Sequence, residues 1–146
     1  MGRFPGHELC TAFDLGVLIT IEPAGGTRNR NLVVETDRGQ WFVRQRYPGY
    51  CDVQRVWFDH QAAQFLADQG VPVVAPRTAR DGNSFWRDGE NIWEVYPFVE
   101  GRHFHDGREE DVAALARSVA AFHRAGRTFP LRYEKAAPRG ETDPDR

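Results

Sequence analysis

Apolar and polar positions in this chain first repeat every two residues and then change period. Val17, Ile19 and Ile21 alternate with Leu18, Thr20 and Glu22, which predicts a first strand. Pro23 to Gly26 closes it with turn residues, and Asn31 to Thr36 opens a second. Asp37, Arg38 and Gly39 are hairpin chemistry, because the glycine supplies the positive φ that a short bulged loop needs. Gln40 to Arg46 reads as a third strand, with Trp41, Val43 and Gln45 on one face and Phe42, Arg44 and Arg46 on the other. From Asp52 to Gln69 the period lengthens. Val53, Val56, Trp57, Ala63 and Leu66 recur at helical spacing, Asp52 serves as N-cap, and Gly70, Val71 and Pro72 stop the helix. A shorter helix over 7–15, with Leu9, Ala12 and Phe13 on one side and Gly16 as its breaker, precedes the first strand.

The second half carries fewer elements. Val71 to Pro76 is extended, since a residue before proline avoids the helical region. After a polar loop from Thr78 to Asn83, Ser84 to Trp86 and Asn91 to Phe98 bracket Arg87-Asp88-Gly89-Glu90, which predicts a second hairpin. Regular pairing ends in the connector from Tyr96 to Gly101, where proline and glycine intervene. A final helix is predicted over 108–125, capped near Asp106 and ended by Gly126, with Val112, Leu115, Ala116, Val119 and Phe122 as its apolar stripe. Residues 136–146 hold no large apolar side chain and predict a disordered end. The pattern is that of an α+β protein without internal repeats.

Composition narrows the classes. At 146 residues, with 40% hydrophobic and 12% aromatic content, the chain buries one real core. Its 19 Lys+Arg against 21 Asp+Glu leave a net charge of -2, so the electrostatic footprint of a nucleic-acid binder is missing. No apolar run approaches the roughly 20 residues of a membrane span, and the opening residues lack the apolar core of a signal peptide. Cytoplasm is the expectation. Cys10 and Cys51 stand apart and read as free thiols. His103 and His105 form an HxH in a polar loop, better read as solvated than as a metal site.

Four features carry chemistry. Gly25, Gly26, Thr27 and Asn29 lie between two strands, where glycines let the backbone approach a ligand and successive N–H groups form a concavity for an anion. A Gly-Gly pair there is also an ordinary turn. Arg44, just downstream, has a fixed charge and a fork that fits phosphate oxygens, although an exposed strand arginine looks the same in sequence. Asp59 shares a helical stripe with Val56, Ala62, Ala63 and Leu66, and a carboxylate on an apolar face is costly unless paired. Arg44 is its expected partner. Finally, the connector Tyr96-Pro97-Phe98-Val99-Glu100-Gly101 leaves the sheet with unpaired backbone groups that suit the edge of a flat heterocycle.

Taken in order, GGTRNRNLVVETDRGQWFVRQR, FDHQAAQFLADQGVPVVAP, NIWEVYPFVEG and VAALARSVAAFH resemble the N-terminal lobe of the aminoglycoside phosphotransferase and choline kinase-like family, a branch of the protein-kinase-like fold. The resemblance implies a nucleotide-binding lobe over 1–96, built from about five antiparallel strands and one packed helix, a hinge over 97–101, and the start of a second lobe over 102–135. It implies ATP as the cofactor, with Gly25 to Asn29 covering the phosphates and Arg44 contacting them. Asp59 would fill the slot of the helix glutamate that pairs with the strand base, one methylene shorter than usual. The C=O of Pro97 and the N–H of Val99 would face adenine.

The same family carries its catalytic base and its magnesium ligands on a second lobe, in an HGD-type loop and a later aspartate. No His-Gly-Asp triplet occurs in these 146 residues. The resemblance therefore implies an ATP-binding lobe of a small-molecule phosphotransferase. This lobe would move a γ-phosphate to a hydroxyl acceptor only when completed, by its own continuation or by a partner chain, and Mg²⁺ would arrive with that completion. Inactive by itself, the chain admits two other readings: a free-standing nucleotide-binding or regulatory module that lost catalysis, and an unrelated α+β domain. His123 reads as structural, favourable near a helix C-terminus.

Overall fold

The structure is a computed structural model and describes residues 4–130. The predicted tail over 136–146 lies outside the described residues. Strands β1 (Leu18–Ala24), β2 (Arg30–Thr36) and β3 (Gly39–Gln45) form an antiparallel meander, and β4 (Trp86–Asp88) and β5 (Asn91–Pro97) form a second hairpin. Because β5 pairs with β3, the two units merge into one five-stranded sheet in the order β1-β2-β3-β5-β4. The α+β expectation and the strand count stand. Among the described residues three α-helices accompany the sheet: α1 (Gly6–Phe13), α2 (Val53–Asp68) and α3 (Glu109–Gly126).

The sheet is covered on both faces, because the short helix predicted ahead of the first strand packs on it opposite the one packed helix expected. From one side α1 inserts Leu9, Cys10 and Phe13, joined by Leu15, against Leu32, Val34, Val43, Trp93 and Val95. Each of these strand residues is buried, with relative exposure no greater than 4%. From the other side α2 lays Val56 against Ile92 and Phe85. A third small cluster joins the end of α2 to α3 through Leu66, Val71 and Ala125.

Local chemistry explains most boundaries and corrects several. Helix α2 begins where Asp52 Oδ1 accepts the Arg55 N–H at 3.1 Å, the N-cap bond the sequence predicted. Helix α1 ends earlier than Gly16, because Asp14 itself takes the left-handed conformation at φ 53°. Strand β1 runs through Pro23 to Ala24. It is an edge strand, where a missing N–H costs no ladder bond. In the second hairpin Arg87 and Asp88 are strand residues, and only Gly89 and Glu90 turn, with Gly89 at φ 58°. Asp106 does not cap α3. Its N-cap position is Arg108, which makes no side-chain cap bond.

Helix α3 keeps the predicted stripe, yet the stripe is not covered. Val112, Leu115, Val119 and Phe122 stay between 45% and 50% exposed. Among the described residues no helix is long and apolar enough to cross a membrane.

Candidate functional site

Register decides which side chains meet. Partners in an antiparallel ladder share a face, so one rung across the sheet places Ala24, Asn31, Arg44 and Glu94 together on the α2 side. The next rung places Glu22, Val33, Phe42 and Tyr96 there. Between these rungs, α2 and the segment leaving β5 lies a cavity of about 510 Å³. Its walls include Phe42, Arg44, Arg46, Asp59, Tyr96 and Val99. That volume is ample for a drug-sized ligand, since such pockets run from about 300 to 1,000 Å³.

At the back of the cavity is a buried ionic network. Glu94 is fully buried and accepts from Arg46 Nε at 2.5 Å and from His60 Nε2 at 2.6 Å. Arg46, with only 9% of its side chain exposed, also reaches Asp59 Oδ2 at 3.0 Å. Burial pushes the Glu94 carboxyl up, but the His60 hydrogen bond and the Arg46 charge outweigh it and hold Glu94 below the ordinary carboxylate value. For Arg46 burial disfavours the charge, and its two carboxylates more than restore it. Burial, and then the Glu94 charge, raise the Tyr96 phenol far above its ordinary range. On the other edge of the imidazole, Ser84 Oγ meets His60 Nδ1 at 2.7 Å.

Arg44 is placed differently from Arg46. It is 3.8 Å from Glu94 Oε2, about a third exposed, and its guanidinium lies over the rings of Phe42 and Tyr96 at 5.7 and 5.3 Å. Its Nε is buried without a hydrogen-bond partner. The carboxylate of Asp59 is therefore paired at 3.0 Å with Arg46 and not with Arg44 as expected. The reason lies in strand geometry: Arg44 and Arg46 share a face two residues apart, and the sequence pattern does not say which one lies opposite the helix.

The segment leaving β5 continues its ladder with β3. Arg46 N–H donates to the Ile92 carbonyl and Phe98 N–H to the Gln40 carbonyl, so the even-numbered residues of this segment face β3. The backbone N–H and C=O groups of the odd-numbered residues point away from β3. Val95 uses its carbonyl to accept the Arg77 N–H, while Pro97 and Val99, beyond the end of β4, line the cavity rim.

Gly25, Gly26, Thr27 and Asn29 are not among the cavity walls. They form the loop that begins immediately beyond the Ala24–Asn31–Arg44 rung. The loop is tied down. Asn31 Nδ2 donates to the Gly25 carbonyl at 2.9 Å, Asn29 Oδ1 accepts the Tyr47 N–H at 2.9 Å, and Arg28 donates to the Tyr50 hydroxyl. Asn29 is thus spent on the loop's own geometry. The two glycines differ: a Cβ on Gly26 would stand 2.3 Å from Asn31 Nδ2, whereas Gly25 faces open space.

Sequence reasoning missed His60 and Glu94. Glu94 had a signal, a lone carboxylate inside the apolar run Ile92-Trp93-Glu94-Val95, which demands a buried partner. His60 had a weaker one, four residues after Val56 on the same helical face. Cys10 and Cys51 are free, as expected, and among the described residues no group of three or more His, Cys, Asp or Glu could hold a metal ion.

Comparison with known proteins agrees with this fold. The model of the phosphotransferase enzyme family matches residues 20–146. A homoserine kinase of Parvibaculum lavamentivorans is 26% identical over 136 residues, covering 90% of this chain and 42% of the relative. The serine/threonine protein kinase RdoA of Salmonella typhimurium is 26% identical over 124 residues, 83% of this chain and 38% of the relative. An amicoumacin kinase solved in complex with AMP-PNP, Ca²⁺ and Ami superposes with a TM-score of 0.73 over 93% of this chain and 44% of that one, at 12% identity. The chain thus spans about two fifths of the length of the curated relatives it matches.

Proposed function

This chain belongs to the phosphotransferase enzyme family, and on that premise we propose that it binds ATP in the cavity between the sheet and α2, as the nucleotide lobe of a small-molecule kinase. The observation that carries the reading is the joint presence in one cavity of Arg44 and of the outward backbone edge at Pro97 and Val99. Adenine would sit against that edge, with the Pro97 carbonyl accepting from its amino group and the Val99 N–H donating to a ring nitrogen. Phe42 and Tyr96 supply the apolar wall. Arg44, whose Nε is unpartnered, turns to the phosphates. The loop holding Gly25, Gly26, Thr27 and Asn29 covers them from the strand end.

Phosphoryl transfer rests on positioning and on neutralising charge. The described residues supply positioning groups for the nucleotide. In this reading the base, the magnesium ligands and the pocket for a hydroxyl-bearing acceptor come from a further lobe, seated on the exposed face of Leu115, Val119 and Phe122.

Titrating ATP into the purified chain while following its melting temperature tests the proposal. At ATP one hundred times its Kd the gain is about 2.7 kcal/mol, which raises the midpoint by roughly 5–10 °C. No shift at millimolar ATP overturns it.

A further inference from the structure

We propose that the cleft on the far side of α2 is a second small-molecule site for a neutral, hydroxyl-bearing ring of monosaccharide size, and that His60 couples it to the first cavity. The cleft measures about 260 Å³ and is bounded by α2 and by the loop that precedes β4. It is distinct from the first cavity, and the two share the imidazole of His60 as a common wall.

The chemistry of the walls selects the ligand. Trp57 presents an indole that is 48% exposed, a broad apolar platform for the C–H face of a ring. Around it stand the amides of Gln61 and Gln64 and the hydroxyls of Thr78 and Ser84, which donate and accept but carry no charge. Gln61 Oε1 is buried with no hydrogen-bond partner. A buried acceptor left unmet is costly, and a turn of the Gln61 amide toward the cleft would let a ligand hydroxyl meet it. A charged ligand would lose its hydration here without finding a counter-charge. The cleft is smaller than the roughly 300 Å³ at which drug-sized sites begin, so one ring fills it.

The coupling is a short chain of contacts. Ser84 Oγ, a wall of the cleft, lies 2.7 Å from His60 Nδ1, and His60 Nε2 lies 2.6 Å from Glu94 Oε1. Glu94 in turn holds Arg46 at the back of the first cavity. A ligand hydroxyl competing for Ser84 changes the bond at Nδ1 and thereby the acceptor strength that Arg46 meets. The existence of the second site does not rest on the nucleotide reading. Its effect on nucleotide does, with equal and reciprocal changes in affinity.

The test is a titration of the ¹⁵N-labelled 146-residue chain with D-glucose and with myo-inositol, and with glucose 6-phosphate as the charged control. The signals followed are the Trp57 indole N–H, assigned by its loss in Trp57→Phe, and the Arg46 Nε–H. At least one neutral ring is expected to shift the Trp57 signal saturably, with the effect weakened at least tenfold in Gln61→Leu and unchanged in Arg44→Ala. The Arg46 signal should move with it in the wild type and stay still in Ser84→Ala. A non-saturating Trp57 signal for both rings up to about 100 mM, far above any useful Kd, overturns the site. Equal binding of the charged control overturns the ligand class. A Trp57 shift with an immobile Arg46 overturns the coupling. Loss of ATP binding with the Trp57 shift intact is the separate failure of the nucleotide reading.

Discussion

Replacing Glu94 by glutamine removes one charge from a network whose other members cannot follow it into water. The Glu94 side chain is fully buried and that of Arg46 is 9% exposed, so after the change Arg46 keeps its charge but has lost the counter-charge at 2.5 Å. Asp59, 26% exposed, remains as its counter-charge. Removing one partner of a buried pair costs about 3–5 kcal/mol, and since glutamine keeps the volume and one acceptor, the low end near 3 kcal/mol applies. For a chain of this size the melting midpoint then falls by about 6–12 °C. The loss depends on pH in a defined direction. The folded-state pKa of Glu94 lies below its ordinary 4.5, so its contribution is present above that value and is lost as pH falls through the folded pKa. The groups facing it are Arg46, His60, Arg44 and Tyr96. Thermal denaturation of both proteins between about pH 4 and 7 should therefore show a gap that is constant near neutrality and narrows at the acid end. A variant melting within about 2 °C of wild type at pH 7 would refute the ionised network.

Other substitutions separate the roles further. Arg44→Ala is expected to weaken ATP about tenfold or more, the loss of a charge-assisted hydrogen bond, with little change in melting temperature, whereas Arg46→Ala should act chiefly on stability; calorimetric titration and thermal denaturation compare them. Gly26→Ala should disturb the loop by displacing the Asn31 amide 2.3 Å from the new Cβ while Gly25→Ala is neutral, read as a difference in ATP affinity between the two variants. Asp52→Ala removes the cap bond to Arg55 and should cost about 1 kcal/mol in urea denaturation. Leu115→Lys on the exposed α3 stripe should raise the concentration at which the chain stays monodisperse in light scattering, without lowering its melting temperature.

What was legible in the sequence was whatever obeys a local rule. The period of two gave β2 and β3 with their faces, and the Asp52 cap with Gly70 gave α2 to within a residue, because those signals are spent within one element. The sheet order was not local. Nothing between Gln45 and Asn91 says that β5 returns to β3, and only that return brings Glu94 under Arg46. The site residues divide the same way. Arg44, Asp59, Pro97 and Val99 were placed on elements that the fold brings to one cavity, whereas His60 and Glu94 meet each other only across 34 positions of sequence.

The two arginines make the physical point. On a strand, Arg44 and Arg46 are equivalent by pattern, and both face α2. What separates them is depth. Arg46 lies beside the carboxylates of Glu94 and Asp59 and uses its Nε on one and its Nη1 on the other, so it is committed to holding sheet and helix together. Arg44, one rung nearer Pro97, meets Glu94 only at 3.8 Å and rests on two aromatic faces, contacts that orient a guanidinium without consuming its hydrogen-bond donors. An arginine so placed is poised for an anion that the protein itself does not provide. The residue beside it is fixed so that this one can remain available.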